Sequence, residues 1–296
     1  MNTVELANEP ILPLPETLNL NPAKVKLGEQ LFHEPRLSAD DTVSCASCHN
    51  LSLGGVDHLA MAVGMNRQVG AINTPTVFNS GFNFRQFWDG RAATLEDQID
   101  GPIHDPREMD SDWPQILRKL QQIPAYHQAF EQLYAQGITE ATVKNAIATY
   151  ERSLITPSRF DRYLRGEFSA LTVDEREGYR RFKQLGCVTC HQGINIGGNL
   201  FQKIGLFGDY FRDRGSAITT ADLGRYNVTQ AERDRHVFKV PSLRHITRTA
   251  PYFHDGSAKT LEVAVKQMAK YQLGQELSSE DINLIIQFLI ALTGEE

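Results

Sequence analysis

Apolar residues recur along this chain at the three-to-four-residue spacing of amphipathic helices, and no stretch sustains the alternation expected of a strand. The pattern predicts helices over Trp113 to Gln121, Ala125 to Gln136, Glu140 to Leu154, Leu261 to Tyr271 and Ser279 to Leu292. Two further starts are marked by caps. Asn21-Pro22 offers a capping side chain followed by a proline at the first helical position, and Thr172 with Glu175 three residues on forms a capping box. The most apolar run, "INLIIQFLIALTG", is interrupted by Asn283 and Gln287 and reads as a buried helix rather than a membrane span. The fold class that follows is mainly α.

A chain of 296 residues suggests about two domains, each able to bury its own core. The break is expected at "TPSRF", because Pro157 cannot continue the helix before it, giving units of 15–157 and 158–296. The formal net charge of −6 argues against nucleic acid or an anionic membrane as a partner. The chain opens without a basic-then-apolar leader and is read as a mature form from which a signal peptide has been removed.

The four cysteines narrow the chemistry. Cys45 and Cys48 precede His49 in "VSCASCHN", and Cys187 and Cys190 precede His191 in "LGCVTCHQ", which leaves no cysteine for a structural disulfide. Two pairs could hold one zinc, but zinc needs no histidine fused to both, and the pairs are too far apart for a ribbon. Neither pair is set in the βαβ pattern of a thioredoxin-like site. Covalent c-type haem uses all six residues: two thiols join the vinyl groups and the adjacent imidazole takes the iron. Such attachment implies assembly outside the cytoplasm, and hence a periplasmic protein.

The motifs have similar surroundings. Gly28 and Phe32 precede the first as Gly178 and Phe182 precede the second, and a glycine pair follows each histidine, Gly54-Gly55 and Gly197-Gly198. Two cytochrome c-like haem domains related by internal duplication are therefore expected. Downstream of His191 the one methionine is Met268, a candidate sixth ligand that would raise the haem potential. The alternatives are a core-filling methionine there, with His236, His245 or His254 as ligand.

Further motifs stand at "NTPTVFN" (Asn73), "FWDGRA" (Phe87), "LEDQ" ending at Gln98, "GPIHDPREM" ending at Met109, "TAPYFHDG" (Thr249) and "MAKYQLG" (Met268). With the two haem motifs they make the chain resemble the bacterial di-haem cytochrome c peroxidases over nearly its whole length. The resemblance implies an N-terminal peroxidatic haem and a C-terminal electron-transfer haem ligated by His191 and Met268. It also implies a calcium ion between the domains, held by Asn73, Thr249 and Pro251 with waters. By the same resemblance Glu108 is the acid–base group, Gln98 positions hydrogen peroxide, and Trp88 lies between the haems as an electron bridge. The chemistry suits these assignments: a carboxylate in a partly dry pocket has its pKa raised toward the working range, and an amide can donate to developing charge. Taken alone, Glu108 and Gln98 would read as ordinary surface residues, and Trp88 as a core indole.

One departure stands out. Where the family carries a histidine that blocks the peroxidatic iron until the other haem is reduced, this chain has Met65, with His58 and Met61 nearby. A thioether binds ferric iron more weakly than imidazole, so a loose or absent ligand is expected. The reading is a peroxidase that draws electrons from a small cytochrome c or cupredoxin and, as the family suggests, forms a homodimer. The alternatives are the related di-haem enzyme that matures a tryptophylquinone cofactor, which has tyrosine where Met268 stands, and a di-haem electron carrier without catalysis.

Overall fold

The computed structural model describes residues 9–294. They form two compact units: 17–81 with 92–155, and 82–91 with 156–294 and the described part of the first sixteen residues. The stretch 82–91, which carries Trp88 and falls inside the 15–157 segment expected from sequence, belongs to the unit of the second haem motif.

The first unit contains helices α1 (Pro22–Phe32), α2 (Cys45–Cys48), α3 (Leu95–His104), α4 (Trp113–Gln121), α5 (Pro124–Leu133) and α6 (Glu140–Ser153). The Asn21 side chain accepts from the amides of Ala23 and Lys24, so α1 starts where the cap predicted. Leu27, Leu31 and Phe32 of α1 pack against Val143, Ala146, Ile147 and Tyr150 of α6, with Ile116, Leu120 and Phe130 closing the core. Where these helices cross, a Cβ on Gly28 would collide with the Ala146 carbonyl, and Phe32 meets Tyr150 edge to face at 5.4 Å.

The second unit contains α7 (Arg159–Leu164), α8 (Val173–Gln184), α9 (Tyr210–Arg214), α10 (Tyr226–Thr229), α11 (Leu261–Met268) and α12 (Ser279–Ala291). The Thr172 capping box starts α8 as expected. Tyr179 and Phe182 of α8 pack on Ile285, Phe288 and Leu289 of α12. This crossing matches the one in the first unit: a Cβ on Gly178 would meet the Leu284 carbonyl, and Phe182 lies 5.0 Å from Phe288.

Further features differ from the sequence expectation, among them the end of α5 at Leu133 rather than Gln136. A two-stranded antiparallel sheet, β1 (Phe201–Lys203) against β2 (Val237–Lys239), is too short at three residues a strand to show alternation. Helix α3 escapes the periodicity because Pro102 lies inside it, although Thr94 caps it by accepting from the Asp97 amide. Helix α11 ends at Met268 and passes into a π turn over Ala269–Leu273 rather than running to Tyr271.

Candidate active site

Each haem motif sits on one short turn of helix, Cys45–Cys48 and Cys187–Thr189, and each histidine that follows is fixed from behind by main-chain oxygens. His49 Nδ1 lies 3.3 Å from the Gly55 carbonyl, with the Pro75 carbonyl as a second partner. His191 Nδ1 lies 3.4 Å from the Ile196 carbonyl, with Pro241 as the second. Burial lowers both imidazole pKa values, that of His191 to about 4, so both rings are neutral at pH 7. A neutral ring with Nδ1 anchored presents the Nε2 lone pair, which is the arrangement of a metal-bound histidine.

The anchoring loops are built alike. Thr76 Oγ1 donates to the Gly54 carbonyl at 2.7 Å and accepts from the Phe78 amide at 3.1 Å. Ser242 Oγ donates to the Asn195 carbonyl at 2.7 Å and accepts from the Arg244 amide at 3.1 Å. The second loop is further held by Arg244, fully buried, which donates to the Ile194 carbonyl at 2.6 Å and pairs with Asp161 at 3.0 Å. The sequence reading did not single out Pro75, Pro241 or Arg244. The shared Pro-Ser/Thr-apolar order of "NTPTVFN" and "KVPSLRH" was the available signal.

All four thiols are free. Burial pushes Cys45 up to about 12 and Cys48 and Cys187 up to about 11, as expected of thiols facing apolar surroundings. Two cysteines on one short turn beside an anchored neutral imidazole fit covalent haem at both places.

Around the first motif, burial is the main cause of the Cys48 shift, and the charges of Asp57 and Glu108 add to it, which places Glu108 within electrostatic reach of the haem attachment point. Glu108 is half-buried just beyond α3, and its carbonyl accepts from the Met65 amide at 3.1 Å. Met65 is itself 4% exposed, so the chain brings the methionine and the acid together. Gln98 is half-buried on α3; Pro102, four residues on, has no N–H to return to the Gln98 carbonyl. Asn73 is buried, and its Nδ2 donates to the Leu59 carbonyl at 2.8 Å.

In the other unit Trp88 packs with Tyr210, Phe211, Phe238 and Tyr271 and meets the His254 ring edge to face at 6.4 Å. His254 stacks on Phe238 at 4.5 Å and holds Asp222 through Nε2 at 2.7 Å. Burial opposes the charge on Asp222, but Arg214, the Thr219 amide and His254 hold its carboxyl well below the usual carboxylate range. Asp222, His254 and Asp255 lie close enough to share a cation, and the Arg214 guanidinium already fills that role, at 2.7 Å from Asp222 and 2.8 Å from Asp255. His236 is also engaged, through Nδ1, with the Asp222 carbonyl at 2.7 Å. Met268 is half-buried at the end of α11. Thr249, half-buried, donates through Oγ1 to the Ile246 carbonyl at 3.1 Å, and Pro251 is half-buried beside it in sequence.

The family model for di-haem cytochrome c peroxidase matches residues 22–169. The chain is 44% identical to the cytochrome c551 peroxidase of Nitrosomonas europaea, over 99% of its own length and 86% of that relative's. The chain belongs to the di-haem cytochrome c peroxidase family. Another member, the cytochrome c peroxidase of Escherichia coli strain K12, is 50% identical over 98% of this chain, which spans 62% of that relative's length. Among solved structures, a MauG-like protein associated with microbial copper homeostasis superposes with a TM-score of 0.81 at 26% identity, covering 96% of this chain and 93% of the other. Membership in the di-haem peroxidase family accounts for both anchored histidines. No helix among the described residues is long and apolar enough to cross a membrane.

Proposed function

We propose that this chain is a di-haem c-type peroxidase that reduces hydrogen peroxide to water with electrons from a small cytochrome c or cupredoxin in the periplasm. The observation that carries the reading is the pair of Cys-x-x-Cys-His turns, each with its histidine fixed through Nδ1. Haem bound at the two motifs would supply one iron centre for reaction with peroxide, at His49, and one that passes electrons to it, at His191. The parallel helix crossings and parallel anchoring loops support a duplicated cytochrome c-like unit, its proposed halves lying at 15–157 and 158–296 except that 82–91 groups with the second.

Glu108 is the proposed proton carrier, taking a proton from one peroxide oxygen and returning it to the departing one. Its place by Cys48 supports that role. Gln98 orients peroxide through its amide and donates to the charge that develops. Met65 is proposed as a weak or absent ligand to the first haem, and Met268 as the sixth ligand of the second. Trp88, at the edge of an aromatic cluster, is the proposed electron relay. The calcium belongs to the same proposal, with oxygens from Asn73, Thr249, Pro251 and waters. An amide oxygen such as that of Asn73 is the kind of donor suited to a hard cation. A homodimer is the proposed assembly.

Met268 in place of tyrosine weighs against the cofactor-maturing relative. Steady-state peroxide reduction by haem-loaded protein with pre-reduced cytochrome c tests the proposal. Turnover supports it; an inert protein with both haems in place points to the electron carrier.

A further inference from the structure

Four consecutive carbonyls behind His191 each meet a donor. That of Gly193 accepts from the Leu12 amide at 3.3 Å, that of Ile194 from Arg244 Nε at 2.6 Å, that of Asn195 from Ser242 Oγ at 2.7 Å, and that of Ile196 from the Leu243 amide at 3.2 Å. The Ile196 carbonyl is also the one that anchors His191 through Nδ1. Two of these donors are main chain and one is a hydroxyl, whereas Arg244 is a charged side chain only 1% exposed. Its other nitrogens are engaged as well: Nη1 and Nη2 each meet Asp161 at 3.0 Å, and Nη2 also donates to the Leu12 carbonyl at 3.0 Å. Asp161, equally buried, accepts in addition from the Leu14 amide at 2.7 Å and from the Ser158 amide and hydroxyl at 2.7 and 2.8 Å.

The loop behind His49 has the same form without the arginine. Pro75, Thr76 and Val77 stand where Pro241, Ser242 and Leu243 stand, and Phe78 takes the place of Arg244. The Thr76 and Ser242 hydroxyls accept alike from the amide of the residue at that place. Phe78 is buried there and its side chain has no hydrogen-bond donor. Packing alone therefore does not call for an arginine. Nor does stability, because the desolvation of a buried ion pair offsets most of its attraction. What Arg244 adds over a phenyl ring is a rigid forked donor, aimed at the stretch of main chain between His191 and its acceptor, Ile196.

We propose that Arg244, set in place by Asp161, is a positioning residue for the His191 imidazole, and that by bracing the loop it makes His191 a stronger donor to iron and lowers the potential of that haem. This rests on the reading that both motifs carry haem. A hydrogen bond to the outer nitrogen fixes the ring and raises its basicity, and a more basic ligand favours ferric iron. A ring held in this way lets the haem exchange electrons without moving its ligand. The loop behind His49, with Phe78 at the matching position, has no such brace from that side chain.

Pyridine haemochrome on the wild-type holoprotein comes first: fewer than two haems per chain overturns the underlying reading and the proposal with it, whereas two haems isolate the proposal. Redox titration of Arg244→Lys then tests it, since lysine keeps the charge beside Asp161 and loses the fork that reaches Ile194 and Leu12. Removing an outer partner of this kind costs a metal site about tenfold or more. The reduction constant of the His191 haem is expected to rise about tenfold, or about 59 mV, with the His49 haem unchanged. A lower unfolding midpoint with an unaltered potential would show a merely structural arginine and overturns the proposal, as does a fall in the potential. Should Arg244→Lys fail to mature, Asp161→Leu combined with Arg244→Leu removes the pair without leaving either charge unpaired. The same rise in that protein supports the proposal, and a wild-type potential overturns it.

Discussion

The Met65 amide donates to the Glu108 carbonyl at 3.1 Å, so the loop that carries the thioether is tied to the segment that carries the proposed acid. The two segments approach closely there because residue 64 is glycine. A Cβ on Gly64 would collide with the carbonyl of Arg107 and the Cα of Glu108. Gly64→Ala should therefore part the loop from the acid. The expected result is a loss of peroxide turnover of up to about 10²-fold, the scale of an ångström-sized misplacement, with haem content unchanged. Full activity in this variant would separate the loop from catalysis.

Met65 itself predicts a spectrum. A thioether is a soft ligand that favours ferrous over ferric iron, and ordering a side chain to ligate costs entropy. The oxidised holoprotein should show a substantial high-spin fraction at the His49 haem and react with peroxide before any reduction. Met65→His should convert it to a low-spin resting form that reacts after one electron is added. A wholly low-spin wild-type protein, silent until reduced, would make Met65, Met61 or His58 an effective blocking ligand.

Glu108→Ala and Gln98→Ala are each expected to lower peroxide turnover by roughly 10²-fold or more, with both haems retained. Undiminished turnover in the Glu108 variant would require another proton route.

Met268→His should lower the potential of the second haem and slow turnover, because imidazole favours ferric iron more than a thioether does. The same potential in both proteins would mean that another residue is the ligand.

Glu151 predicts a pH dependence of stability. It is 5% exposed on α6, and its Oε2 makes no hydrogen bond. Burial, only partly offset by the positive charge of Arg152, raises its carboxyl from an ordinary 4.5 to about 8. In that interval the folded chain holds a proton the unfolded chain has lost. The Glu151 contribution is thus full below 4.5, declines on the order of 1 kcal/mol per pH unit above it, and is gone above about 8. Denaturant unfolding of Glu151→Gln across this window should show a flatter profile. Parallel profiles for variant and wild type would show that the carboxyl is ionised in the fold.

The chain's helices and haem motifs were legible where the signal is local. Asn21 and Thr172 cap their own helices, and Cys45–His49 and Cys187–His191 are contiguous. Pro75 and Pro241 were not, because each acts through a backbone carbonyl on a histidine distant in sequence. Arg244 and Glu151 read as ordinary charged residues, since nothing in the letters R and E reveals burial. Helix α3 was hidden by Pro102, and the β1–β2 pair by its brevity.

The most direct test of the whole account is peroxide reduction by the two-haem protein, followed as the oxidation of a pre-reduced small cytochrome c. Steady turnover that depends on hydrogen peroxide and falls in Glu108→Ala is the predicted result. A protein with two covalent haems that accepts electrons from the donor yet leaves peroxide untouched would contradict it.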